Sequence, residues 1–223
     1  MNSCLFRPRS RTLHRIAFVF AVGSLLLVLL LVMAACAPMT ADEAWVEDFE
    51  DADDGWQLSS DAAADLTIEG GRLFIHILQP GQIAWATSER SFRDFDLSVE
   101  ATQVAGPVDN EYGVFVRMEG DERFYAFSIS GDGYVRAAEH DNGSWSLLGS
   151  DWTLHEAVNQ GEATNLLEVR ARGSDFVFRV NETEVAAFSA DGLRKGSIGL
   201  YAGAFDTPGV RVSFDNLKVV PAP

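Results

Sequence analysis

Residues Asp94 to Glu119 read DFDLSVEATQVAGPVDNEYGVFVRME, and the alternation in this stretch decides the fold class. In the first half, Leu97, Val99 and Ala101 share one parity and Asp96, Ser98 and Glu100 the other. In the second half, Val114, Val116 and Met118 oppose Gly113, Phe115 and Arg117. A period of two is the signature of a strand with one face in a core, so two β-strands around a turn are predicted. Two readings of Glu100 and Arg117 on the mixed faces stay open. They form a surface ion pair worth about 0–1 kcal/mol, or they floor a ligand groove.

The same punctuation continues outward. Short runs rich in Val, Ile, Phe, Tyr and Leu recur between Gly, Asp and Asn clusters, among them RLFIHIL, QIAWATS, RFYAFSIS, NLLEVRARG, DFVFRV and VRVSFDNLKVV. Ser130-Gly131-Asp132-Gly133, Asp141-Asn142-Gly143 and Arg172-Gly173-Ser174 carry hairpin-turn chemistry. Beyond the N-terminal apolar segment no helical periodicity exceeds two turns. The expectation is an all-β protein, a two-sheet antiparallel jelly-roll sandwich preceded by an N-terminal signal or anchor helix. Parity places Tyr125, Phe127, Ile129, Val135 and Ala137 inside, and Phe115, Arg117, Phe124, Ser128, Tyr134 and Arg136 on one outer surface, with Glu100 joining them from the preceding strand.

The N-terminus is read separately. Four arginines and no acid precede an uncharged apolar run from Ile16 to Ala35, then Cys36. Ala34-Ala35-Cys36 resembles the lipobox of bacterial lipoproteins, with Met33 where Leu is usual, and this implies lipidation of Cys36. The alternative is an uncleaved signal anchor, because 20 residues reach the length that spans a bilayer. Both readings export the head and tether it to the bacterial cell membrane, with the arginines cytoplasmic. The predicted organisation is a signal peptide over 1–35, a tether over 36–45 and one sandwich domain over 46–220. The tether reaches only about 30 Å when extended.

Charge and cysteine content exclude several classes. All 33 acidic residues but only 13 of the 17 basic ones follow Cys36, since four arginines precede it, which leaves the exported part at −20. Such a surface repels phosphate backbones, so no nucleic-acid partner is expected. No cysteine follows Cys36, which removes disulfides and thiolate zinc sites from consideration. His76, His140 and His155 fall in separate elements, and neither a Gly-x-Ser-x-Gly elbow nor a phosphate loop occurs. Asn142 and Asn181 are read as turn residues.

The order Asp94-Phe95-x-Leu97-x-x-Glu100, Gly113-x-x-x-Arg117, Asn165 to Asn181 around Gly173, and Gly196-Ser197-Ile198-Gly199-Leu200 resembles the concanavalin A-like lectin/glucanase superfamily. Laminin G-like bacterial domains and 3-keto-disaccharide hydrolase-like domains are the most similar members. The resemblance implies a jelly roll with a glycan on the concave sheet and puts Glu100 and Arg117 in that hollow. It departs where Glu111-Tyr112-Gly113 replaces the Asn-Ser-Gly of those relatives. It also implies a structural calcium between Glu50 and Asp215, and a solvated acidic turn explains the run from Glu47 to Asp54 as well.

No cofactor is required. The Glu-x-Asp-x-x-Glu strand of the jelly-roll glucanases is absent, and glycoside hydrolysis needs two carboxylates about 5–9 Å apart. The favoured expectation is a non-catalytic, membrane-anchored module binding a glycan or cell-surface polysaccharide through Glu100, Phe115, Arg117, Ser128, Arg136 and Trp145. Trp85 and Trp152 are further stacking candidates. The alternative is a hydrolase or lyase acting on 3-keto or related sugars through Glu100. On the groove reading, Arg117→Ala abolishes affinity and leaves the melting temperature within a few degrees.

Overall fold

The computed structural model describes residues 44–50 and 55–222. The predicted signal segment, Cys36 and residues Asp51 to Asp54 of the acidic run lie outside the described residues. Among the described residues there is no helix, and none that is long and apolar enough to cross a membrane.

Sixteen strands run in chain order as β1 (Trp45–Glu47), β2 (Trp56–Gln57), β3 (Ala64–Glu69), β4 (Arg72–Ile77), β5 (Ile83–Ser88), β6 (Phe95–Ala105), β7 (Asn110–Met118), β8 (Arg123–Ile129), β9 (Tyr134–Asp141), β10 (Ser144–Leu147), β11 (Thr153–Leu154), β12 (Thr164–Arg172), β13 (Asp175–Val180), β14 (Thr183–Ser189), β15 (Ser197–Ala204) and β16 (Arg211–Pro221). The first sheet has the order β14-β13-β12-β6-β16-β4-β3, with β1 also on β16; the second has β10-β9-β8-β7-β15-β5-β2, with β11 on β9. Every pairing is antiparallel. The predicted hairpins are present. Asn142 and Gly143 adopt φ of 48° and 84° between β9 and β10, the conformation that an Asn-Gly turn supplies at least strain. Asn181, at φ 50°, turns β13 into β14.

The core lies between the sheets. Leu97, Val99 and Ala101 of β6 meet Val114 and Val116 of β7, Tyr125, Phe127 and Ile129 of β8, and Phe176 and Phe178 of β13, all buried. Phe127 packs on Phe178 at 5.3 Å and Tyr125 on Phe176 at 5.0 Å. Each such side chain contributes about 1.5–3 kcal/mol on burial, so period-two hydrophobicity is enough to hold the layers together. Residue 45, expected to end the tether, lies in the sandwich. Trp45 belongs to β1, where it is buried and stacks on Phe92 at 5.9 Å, because an indole gains far more in the core than in a solvated linker.

Polar groups inside are paired. Asn110 Nδ2 donates to Gln103 Oε1 at 2.8 Å, and Gly131 N donates to Asn110 Oδ1 at 3.1 Å. Gln103 Nε2 in turn caps the carbonyls of Gly106 and Pro107. This network fixes the segment that carries the chain from β6 in the first sheet to β7 in the second.

Candidate functional site

Glu100 and Arg117 do not share a surface. Glu100 lies on β6 in the first sheet, pointing outward, and accepts a bond from Asn216 Nδ2 at 3.2 Å. Arg117 lies on β7 in the second sheet and its side chain is 0 % exposed. Two features of the chain separate them. The β6–β7 connection crosses between the layers instead of closing a hairpin. In addition, the register of β7 against β15 shifts between Gly199↔Phe115 and Ser197↔Met118, a bulge in which Arg117 takes φ 51°. An extra residue reverses parity beyond it, so Met118 joins the outer cluster and Arg117 turns inward. The expected groove floor of Glu100 and Arg117 is therefore corrected.

Arg117 is bound to backbone from three segments. Its Nε and Nη2 donate to Arg93 O at 3.1 and 2.9 Å, and Nη1 to Gly173 O at 2.6 Å and Leu193 O at 2.8 Å. Asp94 accepts from Nη2 at 3.1 Å, and the guanidinium lies 4.7 Å from the Phe176 ring centre. Burial lowers its pKa, an effect that Asp94 opposes. This is a structural node.

The remaining outer positions of the second sheet fall where parity put them, in two layers. Phe115, Phe124, Ala126 and Tyr201 form a small apolar cluster with Met118. Phe115 stacks on Tyr201 at 4.0 Å and on Phe124 at 4.1 Å. Phe115 and Ser128 are themselves buried, which corrects the expectation that they touch a ligand directly. Trp85 of β5 abuts Phe115 at one end, and His140 and Trp145 cover Phe124 at the other. Trp145 is 46 % exposed, as its place in a short strand after an Asn-Gly turn predicts.

Arg136 of β9 sits over this layer. Its guanidinium lies 4.6 Å from the Trp152 ring centre and 5.9 Å from that of Trp145, while Nη2 donates to Glu111 Oε2 at 2.7 Å. Glu111, a buried carboxylate on β7, is the residue that sequence reasoning noticed only as a departure from its relatives. Gly203 of β15 leaves room for it, since a Cβ there would fall 2.8 Å from Glu111 Cγ. Burial raises the Glu111 pKa, against the lowering by Arg136 and a hydrogen bond from Tyr201. Burial also raises the Tyr201 phenol well above its usual value, so it stays a donor, and its hydroxyl is bonded to Ser128 Oγ. Arg136 Nε and His140 Nδ1 are shielded and have no partner among the described residues. An open recess of about 290 Å³ adjoins Arg136, lined by Asp109, Ser130, Asp132, Tyr134, Trp152 and Phe205.

The calcium expectation at Glu50 and Asp215 falls beside Asp51, Asp53 and Asp54, which lie outside the described residues. Asp215 Oδ2 faces Arg72 Nε at 3.6 Å and its Oδ1 accepts from Asn216 N at 2.7 Å. No group of three or more His, Cys, Asp or Glu converges among the described residues.

No family model matches the chain, and no curated protein matches it. Solved structures do. The carbohydrate binding module CBM66 from Bacillus subtilis aligns with TM-score 0.58 at 19% identity, covering 74% of this chain and 94% of that one. A prokaryotic β-1,3-1,4-glucanase (lichenase) derived from a mouse hindgut metagenome aligns with TM-score 0.60 at 15% identity, covering 80% and 99%. A Bacillus subtilis protein of unknown function with a galectin-like fold aligns with TM-score 0.58 at 10% identity, covering 80% and 96%. The fold is the concanavalin A-like jelly-roll sandwich. At these identities the likeness is one of fold.

Proposed function

We propose that the protein is a non-catalytic glycan-binding module whose sugar surface is the outer face of the second sheet. Arg136 set between two indoles, one of them nearly half exposed, is the observation that carries this reading. Indole faces stack on the apolar faces of sugar rings, and a guanidinium fixed in place by Glu111 presents N–H donors to ring hydroxyls. The likeness of fold to a carbohydrate binding module and to a glucanase is in keeping with this, as an analogy only.

The leader sequence supports an extracytoplasmic head carried on lipidated Cys36 or an uncleaved anchor. Two acyl chains suffice for stable attachment. The second reading, hydrolysis or elimination on modified sugars, is favoured by the raised pKa of Glu111, since burial that raises a carboxyl's pKa moves it toward the range of a general acid. Its burial and its bond to Arg136 favour an anchoring role instead.

The deciding experiment is a glycan array probed with the full chain in a nonionic, sugar-free detergent, beside Trp145→Ala and Arg136→Ala. Array signal lost in both variants is expected. Signal unchanged in both removes this face as the site, and turnover of 3-keto-glycosides that disappears in Glu111→Gln assigns the protein to the enzymes.

A further inference from the structure

We infer that the recess beside Arg136 takes a positively charged group, the ammonium of an amine-bearing sugar. This rests on the glycan-binding reading of the same sheet and narrows its ligand class.

The walls are aromatic. Tyr134 begins β9, Trp152 precedes β11 and Phe205 follows β15, and all three line the opening. Trp152 and Phe205 meet nearly at right angles, with centres 6.1 Å apart and planes at 81°, so they form two adjoining sides. Aromatic faces carry negative potential and attract cations within about 6 Å.

The rim is acidic. Asp109 is exposed and makes no ion pair or side-chain hydrogen bond among the described residues. Asp132 is held by the Ser130 hydroxyl and has no cationic partner. No lysine or arginine lines the recess. Arg136 sits against Trp152, and its charge is met by Glu111 at 2.7 Å.

The other ligand classes fit less well. An anionic sugar would meet two carboxylates on a head of charge −20, and a neutral sugar leaves both carboxylates uncompensated. A hard divalent ion needs 6–8 oxygens, and three of the six lining residues offer rings. A protonated amine is satisfied by carboxylates and π faces together.

The test is titration calorimetry on the full chain in a nonionic, sugar-free detergent. The probes are a glucosamine tetramer, its fully N-acetylated counterpart and choline chloride. The glucosamine tetramer is expected to bind at least about tenfold more tightly than the acetylated one, and to weaken as salt screens the charge. Asp132→Asn keeps the bond to Ser130 and removes the charge. It and Trp152→Ala should each lower that affinity about tenfold or more with the melting temperature held within a few degrees.

Equal affinity for the two tetramers, or indifference to Asp132→Asn, overturns the cationic site and leaves the glycan module standing. Choline bound with the glucosamine tetramer unbound keeps the ammonium chemistry but overturns the sugar as its source. Neither ammonium bound, with an array signal intact, overturns the inference alone.

Discussion

The guanidinium of Arg117 donates to the carbonyl oxygen of Leu193 at 2.8 Å, tying a strand of the second sheet to the loop that leaves β14 of the first. The same nitrogen holds Gly173 O, and the neighbouring nitrogens hold Arg93 O. One side chain thus satisfies the ends of three connections at one edge of the sandwich. Gly196 makes the approach possible, because a Cβ there would overlap the backbone of Arg117 and Met118.

Arg117→Ala is accordingly expected to destabilise by about 3–5 kcal/mol, the range for removing one partner from a buried charged network. Arg117→Lys recovers little, since an ammonium lacks the planar fork that reaches three segments. Glu100→Gln, on the exposed face of β6, should stay within about 0.5 kcal/mol. Denaturant titration of the three variants separates a structural node from a surface charge.

Binding is expected to follow the indoles and Arg136. Trp145→Ala should lower affinity for any array-positive glycan about tenfold or more. Its melting temperature should stay within a few degrees, because an exposed ring adds little to the core. A matched loss of affinity and stability would mark Trp145 as packing.

Tyr112 predicts alkaline sensitivity. Burial raises its phenol to about 12, above the ordinary value near 10. The folded state therefore holds the proton more tightly than the unfolded one, and stability falls as pH rises from about 10 to about 12. A two-unit difference corresponds to about 2–3 kcal/mol. Tyr125 and Tyr201 shift in the same direction. Tyr112→Phe should flatten the alkaline limb of the stability curve, read by chemical denaturation across that range.

Glu111 acts at the acidic end with the same sign. Its folded pKa lies above the unfolded value, so its contribution favours folding most at low pH and declines as pH rises through the ordinary carboxylate range to the raised value. In Glu111→Gln that decline should vanish, and Arg136, released from its partner, should lose its hold on Trp152. Stability against pH and glycan affinity, measured on one variant, report both effects.

Cys36→Ser should abolish incorporation of labelled fatty acid and leave an unprocessed precursor. Labelling that persists would place the lipid elsewhere, and absence of labelling in the parent chain would favour an uncleaved anchor.

The parity of β6, β8 and β9 was legible residue by residue, since every second side chain must be apolar where one face closes a core. Leu97, Phe127 and Val135 went inward and Phe124, Ser128 and Arg136 outward as alternation requires. Parity failed at Arg117. A β-bulge leaves no mark in hydrophobic periodicity, and here the residue in the left-handed conformation is an arginine where glycine or asparagine would have signalled it. Glu111 was legible only as an oddity, a carboxylate at the head of a core strand opposite Gly203.

The sequence alone determined that this chain is an all-β sandwich, because alternation and turn chemistry are written in local order. Tertiary structure decided which charges meet. Glu100 and Arg117 are separated because the chain crosses between sheets after Ala105, while Glu111 and Arg136 are joined because β7, β8 and β9 lie side by side. Strand order is a long-range property, and it brings together residues that no spacing along the chain connects.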